Sequence, residues 1–191
     1  ANNKSFTLEN QTSGQGSTGD LVVFADVLEF AAGANFLLYD AKNRTNLNGT
    51  AIDYWDINLL RLDNGNTLRV FQPLPLDESI GNPTFAQNSD NKIAFDHVKS
   101  DGSFEVIAVD FQSGSAGLVT NNFTSDGRPT FSGNDQEIFY HFRDGVNADQ
   151  IFRVTLAGDG ITGSGNDAVW ATEGFWPVWF TIGTARSASK P

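Results

Sequence analysis

The sequence predicts an all-β fold: a β-propeller of four-stranded antiparallel blades, three complete and one composite blade closed by the two chain ends, standing as four blades or as part of a larger propeller. Three observations lead there. A distinctive phrase recurs at a propeller-like period, each copy is followed by the same succession of short extended segments, and the composition favours turns and strands over helices. Charged residues make up 18% of the chain, while it contains 19 Gly and 16 Phe.

The phrase comes first. "GNPTFAQNSDNKIAFD" at residues 81–96 returns as "GRPTFSGNDQEIFYH" at residues 127–141. Phe85, Phe131 and Trp179 are 46 and 48 residues apart, and Pro83, Pro129 and Pro177 precede each of them by two. Repeats of this length belong to propeller blades or helical arrays, and the local pattern chooses between the two. Phe30, 55 residues before Phe85 and without the Pro, reads as a degenerate earlier copy.

The remaining strands follow in order. Second strands are expected at "FLLYD" (36–40), "KIAFD" (92–96) and "EIFYH" (137–141), reached through hairpin tips such as "AQNSDN" and "SGNDQ". Third strands align without gaps at "INLLRL" from Ile57, "VIAVDF" from Val106 and "IFRVTL" from Ile151, each ending in a Gly-containing turn. "LRVF" (68–71), "GLVT" (117–120) and "AVWA" (168–171) supply the fourth, and no stretch shows a helical period. At the N-terminus "FTLEN" (6–10) and "DLVVFAD" (20–26) read as the outer strands of a closing blade whose inner strand is "WPVWFTIG". Closure of this kind removes exposed strand edges. One domain is expected over 1–183, followed by a polar tail at 184–191.

Composition narrows the function. The chain has 191 residues and no Cys, which excludes thiol nucleophiles, thiolate metal sites and disulfides. A net charge of −11 repels a phosphate backbone and an anionic membrane surface, so nucleic acid is excluded as a partner. No apolar run approaches the ~20 residues of a membrane-spanning helix, so membrane insertion is not expected. The absence of Met reads as a mature or excised product, and the composition as secreted or periplasmic. Sequons at Asn10, Asn43, Asn48 and Asn122 are no more than so Asn- and Thr-rich a chain produces by chance.

The Pro, the aromatic, the polar turn with its Asp and the apolar strand together resemble the TolB-like propeller repeat, whose consensus runs roughly P-x-W-S-P-D-G-x-x-I-x-F. The matching stretches are Pro83 to Phe95 and Pro129 to Tyr140, with Ser132, Asp135 and Ile138 the nearest matches in the second. "QNSDN" and "GNDQE" replace the Pro-Asp-Gly core. The resemblance spans about residues 26–182 and implies a fold; the repeat occurs in periplasmic TolB, in propeller domains of peptidases and in pectin-oligomer lyases, so it implies no single activity.

In such a blade the loops joining second to third strands, and each fourth strand to the next blade, share one face. That face is expected to carry the long loop 41–55, together with 97–103, 142–149, 74–82, 121–128 and 172–176. Candidate ligand-binding residues on it are Tyr54, Trp55, Asp126, Arg128, Glu173 and Trp176, since exposed aromatics flanked by carboxylates suit sugar rings or apolar peptide side chains. Trp179, at the anchor position, is expected in the core. Asp40, Asp96 and His141 end equivalent second strands and form the candidate metal site, for calcium or another divalent ion; their alternative role is to begin solvated turns. "TGSGNDAVW" (162–170) matches a calcium-binding nonapeptide in one copy only, and "GQGSTG" (14–19) precedes a strand, so both read as turns.

No residue is assigned a catalytic role and no cofactor is expected beyond that ion. Two classes of function stay open. One is a non-catalytic extracytoplasmic module that binds a protein, peptide or glycan. The other is an enzyme, either a carbohydrate-active propeller using carboxylates such as Asp77, Glu78, Asp126 and Glu173 or the propeller of a larger peptidase.

Overall fold

The structure, a computed structural model, describes residues 21–71, 75, 77–123, 127–143, 149–165 and 167–179. The described elements are all strands, arranged in three four-stranded antiparallel sheets of neighbouring order. Blade 1 comprises β1 (Leu21–Phe30), β2 (Phe36–Leu47), β3 (Thr50–Arg61) and β4 (Thr67–Arg69). Blade 2 comprises β5 (Ser79–Phe85), β6 (Lys92–Val98), β7 (Phe104–Asp110) and β8 (Ser115–Phe123). Blade 3 comprises β9 (Thr130–Phe131), β10 (Glu137–Phe142), β11 (Gln150–Thr155) and β12 (Ala168–Thr172).

The period-2 alternation of each second and third strand sends its apolar side chains to opposite faces of the sheet. Leu38 and Ile57 of blade 1 meet Phe85, Ile93 and Phe95 of blade 2 in one core. Ala94, Val106 and Ala108, on the other face of blade 2, meet Ile138, Tyr140 and Val154 of blade 3 in a second. The small Ala94 and Ala108 stand opposite the large Tyr140, so the layers interdigitate. Full burial of each of the large apolar side chains contributes roughly 1.5–3 kcal/mol. On the far face of blade 1, Tyr39, Ala41 and Leu60 form a third cluster, and the buried polar side chains of Asn43, Thr45 and Asn58 share that face.

Blades are also clasped through main-chain N–H groups, which explains the repeated phrase. Asp40 Oδ2 accepts the N–H of Asn82 in blade 2 at 2.8 Å. Asp96, at the same position in blade 2, accepts the N–H groups of Gly127 and Arg128 ahead of blade 3, each at 3.0 Å. On the opposite face the direction reverses. Asp90 Oδ1 accepts the N–H of Gly33 at 2.7 Å, and Asp135 takes the N–H groups of Gln87 and Asn88 at 2.7 and 2.9 Å.

The forward clasps require an unusual backbone. Val27, Asn82, Arg128 and Trp176, each three residues before an anchor aromatic, have φ of 36°, 50°, 46° and 58°. Left-handed backbone outside glycine is uncommon, and four equivalent instances mark one recurring kink. At the first two, the ladder register slips between Asp26 and Leu28 and between Gly81 and Thr84. At Asn82 and Arg128 the kink turns main-chain donors toward the preceding blade's carboxylate.

Two sequence expectations are corrected. Residues 20–26 were expected as an outer strand of the closing blade, but 21–30 form a single inner strand running along β2 from Leu21↔Arg44 to Phe30↔Leu37. Phe30 thereby pairs as Phe85 does with Ile93 and Phe131 with Ile138, which makes it the first copy of the anchor. It remains 61% exposed, since among the described residues no blade packs over it. The expected loop 41–55 is a continuation of the hairpin, closed by Asn48 and Gly49 at φ 52° and 86°. These are the signs of a type I′ turn, which matches the twist of the flanking strands. Of the expected pairing of residues 6–26 with 177–182, residues 21–26 pair with β2 instead, and residues 6–20 and 180–182 lie outside the described residues.

Candidate binding face

The four copies of the repeated segment converge on one cavity of about 360 Å³. Leu28, Pro83, Pro129 and Pro177, each two before its anchor, all contribute to its wall. Neighbouring inner strands are tied by a second recurring bond. The carboxylate of Glu29 accepts the main-chain N–H of Phe85 and the Thr84 hydroxyl, and Thr130 Oγ1 accepts the N–H of Trp179 at 3.4 Å. Trp179 is thereby bonded to the first strand of blade 3. Burial in the cavity wall raises Glu29 to about 7, more than the bonds from Thr84 and Phe85 lower it.

At the mouth of the cavity Arg128 lies with its guanidinium 4.2 Å from the ring centre of Trp176 and 5.3 Å from that of Phe175. Such cation–π contacts help to hold a charge at the surface. Phe175 also meets the buried His141 edge-on at 4.7 Å, so blade 3 supports the aromatic pair from below.

Arg128 also lines a second cavity of about 300 Å³ between blades 1 and 2, whose wall includes Asp26, Asp40, Asp96, Trp55, Val98 and Phe104. Burial raises Asp40 to about 6, with Asp26 raising it further and main-chain N–H groups, chiefly that of Asn82, opposing. Trp55 is held there by its main-chain N–H to Ser79 Oγ at 3.2 Å and by an edge-on ring contact with Phe24 at 6.2 Å.

The structure thus brings together Trp55, Arg128 and Trp176 of the six expected ligand residues. Tyr54 is buried on the other face of blade 1, Glu173 is exposed and lines neither cavity, and Asp126 lies outside the described residues. Trp179 stacks on Phe139 at 5.5 Å yet keeps 38% exposure, so it is less enclosed than Phe85 or Phe131. Sequence reasoning missed Asp26, Glu29 and Phe175. The signal was present for Glu29: its place before Phe30 aligns with Thr84 and Thr130.

Asp40, Asp96 and His141 do not converge. Asp40 points to blade 2 and Asp96 to blade 3, where N–H donors take their oxygens, and His141 Nε2 lies 3.0 Å from Asp149. Among the described residues no three Asp, Glu or His side chains are grouped to hold a metal ion. The nonapeptide-like Asp167 accepts the hydroxyls of Thr120 and Tyr140 between blades 2 and 3, a packing role. Of the carboxylates weighed for catalysis, Glu78 is bonded to His97 Nε2 at 2.9 Å and Asp77 is exposed.

Comparison with solved structures agrees with this architecture. TolB from Acinetobacter baumannii superposes with a TM-score of 0.54 and 20% identity, covering 75% of this chain and 32% of TolB. The β-propeller domain of the trilobed protease from Pyrococcus furiosus gives 0.56 and 9% identity, covering 78% of this chain and 43% of that one. The fold is that of a TolB-like β-propeller. The chain spans about a third of the first structure and under half of the second. No protein-family profile matches it, and neither does any curated protein sequence.

Proposed function

We propose that this TolB-like propeller is a non-catalytic binding module that recognises a protein, peptide or glycan on the face carrying Arg128, Trp176 and Trp55. The observation that carries this reading is the shared cavity. Its wall is mostly apolar, from Leu28, the three prolines and Trp179, and is interrupted by a few polar groups, chiefly Glu29 and Arg128. Concave apolar sites with sparse, fixed polar groups are the usual form of a ligand site. The half-exposed Trp176 presents a flat aromatic edge beside a cation, which suits a sugar ring or a peptide side chain.

The proposal includes a fourth blade whose inner strand starts at residues 176–179, supported by the Trp179–Thr130 bond and the left-handed Trp176. Closure by the chain ends, or continuation into a larger propeller, belongs to the same proposal. So does a location outside the cytoplasm, for which the composition speaks. The alternative, a carbohydrate-active enzyme or the propeller of a larger peptidase, draws on the likeness to a protease's propeller domain.

Screening the protein on glycan and peptide arrays tests the proposal. Binding without turnover, weakened at least about tenfold in Trp176→Ala and Arg128→Ala, supports it. Hydrolysis or elimination of any array member, abolished by Asp126→Asn or Glu173→Gln, would replace it with the enzyme reading.

A further inference from the structure

We propose that the cleft between blades 1 and 2 is a subsite for a lysine side chain of a peptide ligand, an inference that rests on the same face being a binding face. Asp26 and Asp40 face one another across the β1–β2 ladder as direct partners. Asp26 is exposed at the rim, with Oδ1 held by the N–H of Val27 at 2.9 Å and Oδ2 left for a ligand. Asp40 is 3% exposed, lines the cleft and has an Oδ1 without a hydrogen-bond partner. Two neighbouring carboxylates, one of them out of water and half-satisfied, repel each other, and a cation between cleft and rim relieves both.

The walls select the kind of cation. Trp55, Val98 and Phe104 offer an apolar sleeve for a four-carbon stem, and the aromatic face of Trp55 favours a cationic head. Among the described residues no three Asp, Glu or His side chains are grouped here for a bare metal ion. Asp96 contributes charge but little contact, because its oxygens take the N–H groups of Gly127 and Arg128 and the side-chain amide of Asn82. Arg128, the one cation lining the cleft among the described residues, is drawn toward Trp176 and Phe175, 4.2 and 5.3 Å from their ring centres. The charged groups facing Asp40 are therefore Asp26 from β1, Asp96 from β6 and Arg128 before β9. Because burial and Asp26 raise Asp40 to about 6, the negative field in the cleft grows as pH rises through that value.

The test is titration with acetyl-Ala-Lys-Ala-amide, followed at the Trp55 indole N–H resonance, assigned with Trp55→Phe. The same peptide with norleucine or acetyl-lysine in place of Lys serves as comparison. The lysine peptide is expected to shift the Trp55 resonance saturably, and more tightly at pH 7 than at pH 5, while the neutral analogues leave it unmoved. Asp26→Asn weakens binding about tenfold or more, and Asp40→Asn weakens it and flattens the pH dependence, with other resonances in place. Equal binding of the norleucine peptide, the same shift from calcium chloride alone, or no shift with any probe overturns the proposal. An array ligand lost in Trp176→Ala but unaffected in Asp26→Asn would remove the lysine subsite and leave the binding module standing.

Discussion

Replacing Glu29 by Gln is expected to stabilise the protein at neutral and alkaline pH and to leave it unchanged in acid. The Glu29 carboxyl titrates near 4.5 in the unfolded chain and about 7 when folded, mainly because the cavity wall disfavours its charge. The folded state therefore holds this proton more tightly than the unfolded one, and the group costs stability as pH rises from about 4.5 to about 7. At about 1.36 kcal/mol per pH unit the full cost is a little over ~3 kcal/mol; Glu29 keeps some water contact in the cavity, which brings it nearer to ~2. The glutamine Oε1 still accepts the N–H of Phe85 and the Thr84 hydroxyl. A domain of this size melts about 2–4 °C higher per kcal/mol, so the variant should gain roughly 4–8 °C at pH 8 and nothing measurable at pH 4. Calorimetric melts of both proteins at the two pH values check this. An equal gain at both, or a loss at pH 8, would refute the account of Glu29 as a carboxylate held against its charge.

Further outcomes follow from the clasps and the close approaches between blades. Asp96→Ala leaves three polar N–H donors short of their acceptor in a side chain only 1% exposed, and should cost about 3–5 kcal/mol in urea denaturation. A cost below ~1 kcal/mol would contradict the clasp. Asp135→Ala, at a more exposed junction, should cost about 1–2 kcal/mol and speed hydrogen exchange at the amides of Gln87 and Asn88 while leaving Gly127 slow. Gly163→Ala places a methyl against the carbonyl oxygen of Val119 where blades 2 and 3 meet, and should lower the melting temperature by roughly 6 °C or more; a melting temperature within 2 °C of wild type would mean that this junction yields.

The second, third and fourth strands were legible because each apolar run recurs at the same place after the anchor, and each third strand ends in a Gly-containing turn. β1 was not, since residues 20–26 are an unbroken apolar run between two aspartates and nothing within them names β2 as their partner. The long hairpin was hidden for a related reason. Lys42 and Arg44 meet Asp53 across its surface at 3.0 and 2.6 Å, and Asn43 and Thr45 are buried, so the polar run looks like a loop although Asn48–Gly49 signals its turn. Asp40, Asp96 and His141 do occupy equivalent positions, as their alignment implies. What alignment conceals is that the partners of the two aspartates are main-chain N–H groups, which leave no mark in the side-chain sequence. Arg128 and Trp176 were each legible as binding-face residues, but their stacking depends on the left-handed backbone at both positions.

The clasps have a consequence for how such an array grows. Each joins a carboxylate in one unit to peptide N–H groups in the next, so the recipient needs a backbone shape and no matching side chain. A duplicated unit can therefore dock beside its parent without a compensating substitution, and afterwards its surface loops can diverge freely provided that one aspartate and one kink survive.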